Sequence, residues 1–249
     1  MRYLVCAMLL LFAACAEGPG AAPPPGGEIT ARVSAPTQLS AQHGLQRLAG
    51  GAQLYVPDSL ALDRPAPFIL LLHGAGGKGE NMIRRFREEA DRRGIILLAP
   101  DSTDRTWDVM AAMGDSPGRM PGYGRDPARI DAALKEVFAR YAIDPKKVAI
   151  AGFSDGAGYA LSLGAENAPL FRHVMAFSAG VLMPFSAEGK TRIFISHGTK
   201  DRIIPIDSPR NSIIPALRSA GFDVEVHEFD GGHEIPPEIM RQALDWFLN

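Results

Sequence analysis

The sequence predicts an α/β fold: a mostly parallel central sheet with helices on both faces. Three observations predict it. Apolar runs of strand length alternate with segments of helical periodicity from about residue 45 to the C-terminus. Several of those runs are continuous, as strands buried on both faces read. Histidine, serine, aspartate and glycine gather just after the runs, at the carboxyl edge of such a sheet, where open α/β folds bind ligands.

The elements follow in order. "LQRLAGGAQLYVP" offers two short strands around Gly50 and Gly51, a hairpin-like start. "PFILLLHG", residues 67–74, is a continuous apolar strand ending in His-Gly. "GENMIRRFREEADRRG" places Met82, Ile83, Phe86 and Ala90 at helical spacing, with Gly94 as its stop. The strand "IILLAP" comes next, then the helix "DPARIDAALKEVFARYA", with Ile130, Leu134, Val137, Phe138 and Tyr141 on one side, and the strand "KVAIAG". "HVMAFS" and "RIFISHG" read as strands, and "SPRNSIIPALRSAG" as a helix in which Pro215 is an awkward interior residue. The strand "DVEVHEF" and the helix "PPEIMRQALDWFLN" close the chain.

With 46% apolar and 22% charged residues, 249 residues are ordinary composition for one globular domain. The net charge of -2 supplies no basic field, and "RRFREEADRR" interleaves its bases with acids, so nucleic acid is excluded as a partner.

The N-terminus reads as an export signal over residues 1–14: Arg2, an apolar core from Leu4 to Phe12, then small residues. Cys6 lies inside that signal and Cys15 at its end, so an exported domain would hold no internal disulfide. "FAAC" resembles the lipobox of bacterial lipoproteins, with Phe12 where leucine is usual. That resemblance implies lipidation of Cys15 and a cell-envelope location, outer membrane or periplasmic; plain secretion after "AACA" is the alternative. Contact with a membrane is expected through this anchor only. "EGPGAAPPPGGE", rich in proline and glycine, reads as a spacer, giving a flexible linker over residues 15–40 and a catalytic domain over 41–249.

In "AGFSDGAGYALSLG" Ser154 stands between Gly152 and Gly156, on a strand-to-helix turn. The pentapeptide alone is weak, since a capping serine between turn glycines reads the same way. Its company is what counts. After "FILLL" comes "HGAGG", after "IFIS" comes "HGTKD" and after "VEVHEF" comes "DGGH", so one sheet edge gathers Ser154, Asp201 and His233 in that chain order.

Here the sequence resembles the α/β-hydrolase superfamily, whose triad runs Ser, Asp, His. It is most similar to the serine esterases of the phospholipase/carboxylesterase and polyhydroxybutyrate-depolymerase-like branches. "LLHGAGG", "APDS…TWD", "IDPKKVAIAGFSDGA", "SHGTKDRIIP" and "GGHE" carry the likeness, from about residue 50 onward. The resemblance implies the α/β-hydrolase fold and a carboxylic ester hydrolase working through an acyl-enzyme, with a small-molecule or oligomeric ester as substrate.

The chemistry requires these residue types. A serine hydroxyl needs a base to take its proton as it attacks, and His233 on its Gly-Gly loop is assigned that role. Asp201 would fix the imidazole tautomer and stabilise the imidazolium. The backbone N–H groups of Ala75 and Asp155 are the expected oxyanion donors. Asp207 and Asp230 compete with Asp201, and His197 and His227 with His233. No ligand set stands at metal spacing, so neither metal nor cofactor is expected. A peptidase of the same superfamily and a non-catalytic surface binding lipoprotein of the same fold stay open as alternatives.

Residues 101–127 are longer than a simple connection and carry Trp107, Met110, Met113, Met120 and Tyr123, as a lid or pocket wall would. Trp107 is the expected pocket residue on this side. "GVLMPFSAEG" supplies an opposite wall through Leu182, Met183 and Phe185. Asp155, directly after the serine, either meets the substrate or is solvated.

Overall fold

The computed structural model describes residues 26–61, 64–110, 122–183, 185 and 191–249. The expected signal, Cys15, Met113 and Met120 lie outside the described residues.

Eight strands form one sheet: β1 (Gly44–Arg47), β2 (Gln53–Val56), β3 (Ala66–Leu72), β4 (Ile96–Ala99), β5 (Ile143–Phe153), β6 (His173–Phe177), β7 (Arg192–Gly198) and β8 (Asp223–Phe229). Their spatial order is β1-β2-β4-β3-β5-β6-β7-β8. The opening hairpin makes the antiparallel edge, through β1–β2 and β2–β4. All remaining pairs are parallel. The carboxyl ends of β3, β5, β7 and β8 therefore open on the same edge, as the polar punctuation requires.

Continuous apolar runs are explained by two cores. Phe68, Leu70 and Leu72 of β3 face one layer with Ile130, Leu134 and Val137 of helix α2 (Asp126–Arg140) and Leu161 of helix α3 (Asp155–Glu166). The alternate residues Ile69 and Leu71 face Met82, Ile83 and Phe86 of helix α1 (Gly79–Arg93), with Leu244 and Phe247 of the closing helix α5 (Pro237–Leu248). Each fully buried side chain of this size contributes about 1.5–3 kcal/mol. α1 ends where its periodicity predicts, at Gly94 in the left-handed region with φ 64°.

Two local features differ from expectation. The segment around Pro215 is a π-helical turn, Pro209–Ile213, running into helix α4 (Ile214–Ser219). The Ile214 N–H reaches back five residues to the Pro209 carbonyl, and Pro215 falls in the first α-helical turn, where a missing N–H costs little. The expected linker boundary at residue 40 also differs. Ile29 and Ala31 are buried in the core, Asn167 accepts the Ile29 N–H at 2.8 Å and donates to the Gly27 carbonyl at 2.9 Å, and Asp131 accepts the N–H groups of Thr30 and Ala31. The docked chain thus begins at the Gly27 backbone and the Ile29 side chain, because the lone isoleucine of a polar stretch finds a slot between α2 and α3. Among the described residues, no helix is long and apolar enough to cross a membrane.

Candidate active site

Ser154 occupies the turn between β5 and α3 with φ 56° and ψ −122°, a backbone conformation that non-glycine residues rarely adopt. Its side chain does not cap the helix. The flanking glycines are steric necessities: a Cβ on Gly152 would collide with the Gly156 carbonyl, and one on Gly156 with the His73 carbonyl. β3, β5 and α3 meet backbone to backbone at this point.

The Ser154 hydroxyl donates to His233 Nε2 at 2.8 Å. His233 Nδ1 donates to Asp201 Oδ2 at 2.7 Å. Because a carboxylate only accepts, Nδ1 carries the proton and Nε2 is left free to accept the hydroxyl. The Asp201 side chain is fully buried, and its Oδ1 takes the N–H groups of Ile203 at 2.8 Å and Ile204 at 2.9 Å. Burial pushes this carboxyl up, but the Ile204 N–H, His233 and the Ile203 N–H outweigh it and hold it below the usual range. The His233 ring also packs on Phe153, centroids 4.8 Å apart.

The competing residues are engaged elsewhere. Asp230 pairs with Lys200 at 2.6 Å, and Asp207 is exposed. His227 meets Glu225 at 2.7 Å and stacks on Phe194. His73 is a turn fastener: Nδ1 donates to the Gly74 carbonyl at 2.8 Å and Nε2 accepts the Ser102 N–H at 3.0 Å. Burial holds its pKa below the ordinary histidine value.

The expected oxyanion donors, Ala75 and Asp155, directly follow two residues that lie against each other, Gly74 and Ser154. The Asp155 N–H opens α3 and so has no intrahelical partner. The Ala75 N–H donates no hydrogen bond among the described residues, while its neighbours Gly76 and Gly77 are bonded to the Arg105 and Gly74 carbonyls. The Asp155 carboxylate is tied by the Thr106 hydroxyl at 2.7 Å.

A cavity of about 300 Å³ opens at Ser154, walled mainly by Met110, Gly158, Val181, Ile203, Ile204 and Pro205. The expected pocket residues are corrected here. Trp107 is fully buried beneath the loop, its Nε1 donating to the His73 carbonyl at 2.8 Å and its ring stacked on Tyr159. Met183 is fully buried too, its N–H donating to Ser162, while Phe185 packs edge-on against Phe222. None of the three lines the cavity. The 101–127 segment contributes Met110 instead, and its described parts are pinned by Asp108 and Asp126. Asp108 accepts the Gly124 and Asp126 N–H groups at 2.9 and 2.8 Å, and Asp126 accepts the Thr103 N–H at 2.7 Å.

This sheet, with its turn serine and carboxyl-edge histidine, defines the class: the protein has the α/β-hydrolase fold. Solved structures agree. A phospholipase/carboxylesterase from Dyadobacter fermentans DSM 18053 matches with TM-score 0.61 at 21% identity, covering 84% of this chain and 100% of that one. A thermostable esterase matches with TM-score 0.62 at 18% identity, covering 83% and 62%. A model of the phospholipase/carboxylesterase family matches residues 61–249, and the chain belongs to that family of hydrolases. The Nocardia uniformis subsp. tsuyamanensis protein named "Putative esterase NocK" is 29% identical over 228 residues, or 82% of this chain and 64% of that protein. An Aspergillus oryzae protein named "Probable feruloyl esterase C" is 29% identical over 162 residues, or 62% and 56%. The chain thus spans less than two thirds of the length of either relative.

Proposed function

We propose that this protein hydrolyses carboxylic esters through an acyl-enzyme, with Ser154 as nucleophile, His233 as general base and Asp201 as the group that orients it. The observation that carries this reading is the unbroken relay Ser154–His233–Asp201, with links of 2.8 and 2.7 Å, at the mouth of an apolar cavity. His233 Nε2 takes the hydroxyl proton as Oγ attacks the acyl carbon, then returns it to the departing alcohol. The oxyanion is received by the Ala75 and Asp155 N–H groups, each worth about a hundredfold to a thousandfold in turnover. Water repeats the sequence to release the acid.

The cavity takes the acyl group, and its volume suits acyl or aryl groups of modest size. The feruloyl group in the name of the Aspergillus oryzae relative falls within that range. We also propose export, with Cys15 lipidated and the domain held at the cell envelope; the small-residue run before Cys15 supports it. Metabolic labelling with a radioactive fatty acid, lost in Cys15→Ser, tests the anchor.

The decisive test of activity is turnover of p-nitrophenyl esters of increasing acyl length by the wild type and by Ser154→Ala. The expected result is measurable wild-type turnover that the variant abolishes. Equal turnover by both would overturn the assignment.

A further inference from the structure

One carboxylate is misplaced for a site that builds negative charge. Among the described residues, Asp155 is the only charged one in the wall of the cavity, beside a serine whose acylation would generate an oxyanion. Its Oδ2 is fixed by Thr106 at 2.7 Å. Its Oδ1 accepts no hydrogen bond, and no lysine or arginine pairs with it, among the described residues. Arg105 stands at the oxyanion loop, its carbonyl accepting the Gly76 N–H at 2.7 Å, and not in the cavity wall. Thr106 therefore orients a half-buried carboxylate with which no lysine or arginine pairs among the described residues.

We propose that Asp155 is a specificity-determining residue that selects esters by the charge of their acyl group. Neutral acyl groups, and those carrying a quaternary or protonated amine, are admitted; those ending in a carboxylate or phosphate are rejected. This inference rests on the reading of Ser154 as nucleophile. Of the remaining described walls, Met110, Gly158, Gly180, Val181, Ile203, Ile204 and Pro205 offer an anionic group neither a cation nor a side-chain donor, and the Ser208 hydroxyl is engaged by the Gly180 carbonyl at 3.2 Å. Two like charges about 6 Å apart, at an effective dielectric of about 40, disfavour binding by about tenfold. An opposite charge at that distance gains as much, and added salt weakens both effects.

The experiment compares p-nitrophenyl esters of three acids of similar length: pentanoic acid, glutaric acid as its free-carboxylate half-ester, and 4-(trimethylammonio)butanoic acid. kcat/KM is measured at low and high ionic strength for the full-length wild type, Asp155→Asn and Asp155→Ser. The readout is the ratio between substrates, because the Asp155 N–H also serves the oxyanion and absolute rates are free to change. The wild type is expected to turn over the anionic ester at least tenfold less well than the neutral one, a gap that salt narrows. Both variants are expected to raise the anionic-to-neutral ratio about tenfold and to lower the cationic-to-neutral ratio.

A wild type that treats the three esters alike overturns the proposal whether or not the variants fold, and leaves the esterase reading standing. Unchanged ratios in folded variants overturn it too. A wild type that hydrolyses none of the esters defeats the esterase reading, and the selectivity proposal falls with it.

Discussion

His197 Nε2 lies 3.3 Å from Asp201 Oδ2, the oxygen that also receives His233 Nδ1. The same nitrogen meets the Ile204 carbonyl at 2.8 Å, and since both partners only accept, Nε2 must carry the proton. Asp201 is thereby clamped between two imidazoles, one facing the serine and one behind it. On the proposed reading of the triad, His197 would be a positioning residue, through Asp201 and through Ile204, which walls the cavity.

Replacing His197 separates those two routes. His197→Phe removes the N–H that bonds the Ile204 carbonyl and whose dipole lies 3.3 Å from Asp201 Oδ2, so the acid limb of the kcat/KM profile is expected to move to higher pH. kcat should fall by up to about tenfold, the scale of a lost neutral hydrogen bond, here the one to the Ile204 carbonyl. A change confined to KM and acyl-length preference would mean that His197 serves only the cavity wall. His197→Asn, which keeps a donor, should recover part of the loss.

Glu166 makes stability depend on pH. One of its oxygens is buried without a partner beside Gly27, and burial first, then Glu28, push its pKa up to about 6 from an ordinary 4.5. Between those values the native state keeps a proton that the unfolded state has lost, so stability falls as pH rises through this window. Screening of a half-exposed group leaves about 1 kcal/mol of the full linkage. Thermal unfolding of Glu166→Gln should lie about 2–4 °C above wild type at pH 8 and match it at pH 4.

The cavity walls can be told from the packing beneath them by acyl-length profiles. Met110→Ala enlarges the cavity and should move the optimum to longer chains. Trp107→Phe should leave the optimum in place and cost about 1–3 kcal/mol in urea unfolding, since the His73 carbonyl loses a buried donor. A shifted optimum in Trp107→Phe would restore that residue to the pocket.

The sheet was legible because burial on both faces forces an apolar residue at every position, as in Ala66–Leu72. Ser154 and Asp201 were legible because each follows such a strand, and His233 because it follows the alternating edge strand Asp223–Phe229, so chain order brings all three to one edge. Pocket walls were not, because sequence shows that an aromatic is near a site and not which way its ring turns. Trp107 is drawn under the loop by a single hydrogen bond to the His73 carbonyl. A usable signal lay in "DRIIPID": apolar residues straight after the acid, on a loop with no strand to bury them, and Ile203 stands 72% exposed at the cavity. The docking of Ile29 was hidden because one apolar residue makes no periodicity.

The contact among Gly152, Gly156 and His73 leaves no side chain between the strands and helix that carry Ser154. The depth at which Ser154 sits is therefore measured in main-chain radii, dimensions that no substitution elsewhere can rewrite. Met110, Val181 and Ile203 have no such constraint, and can be exchanged without touching that gauge. Apart from Asp155, whose side chain lines the cavity while its N–H opens α3, the cavity wall and the support of Ser154 are separate materials, so the first can be re-engineered while the second stays fixed.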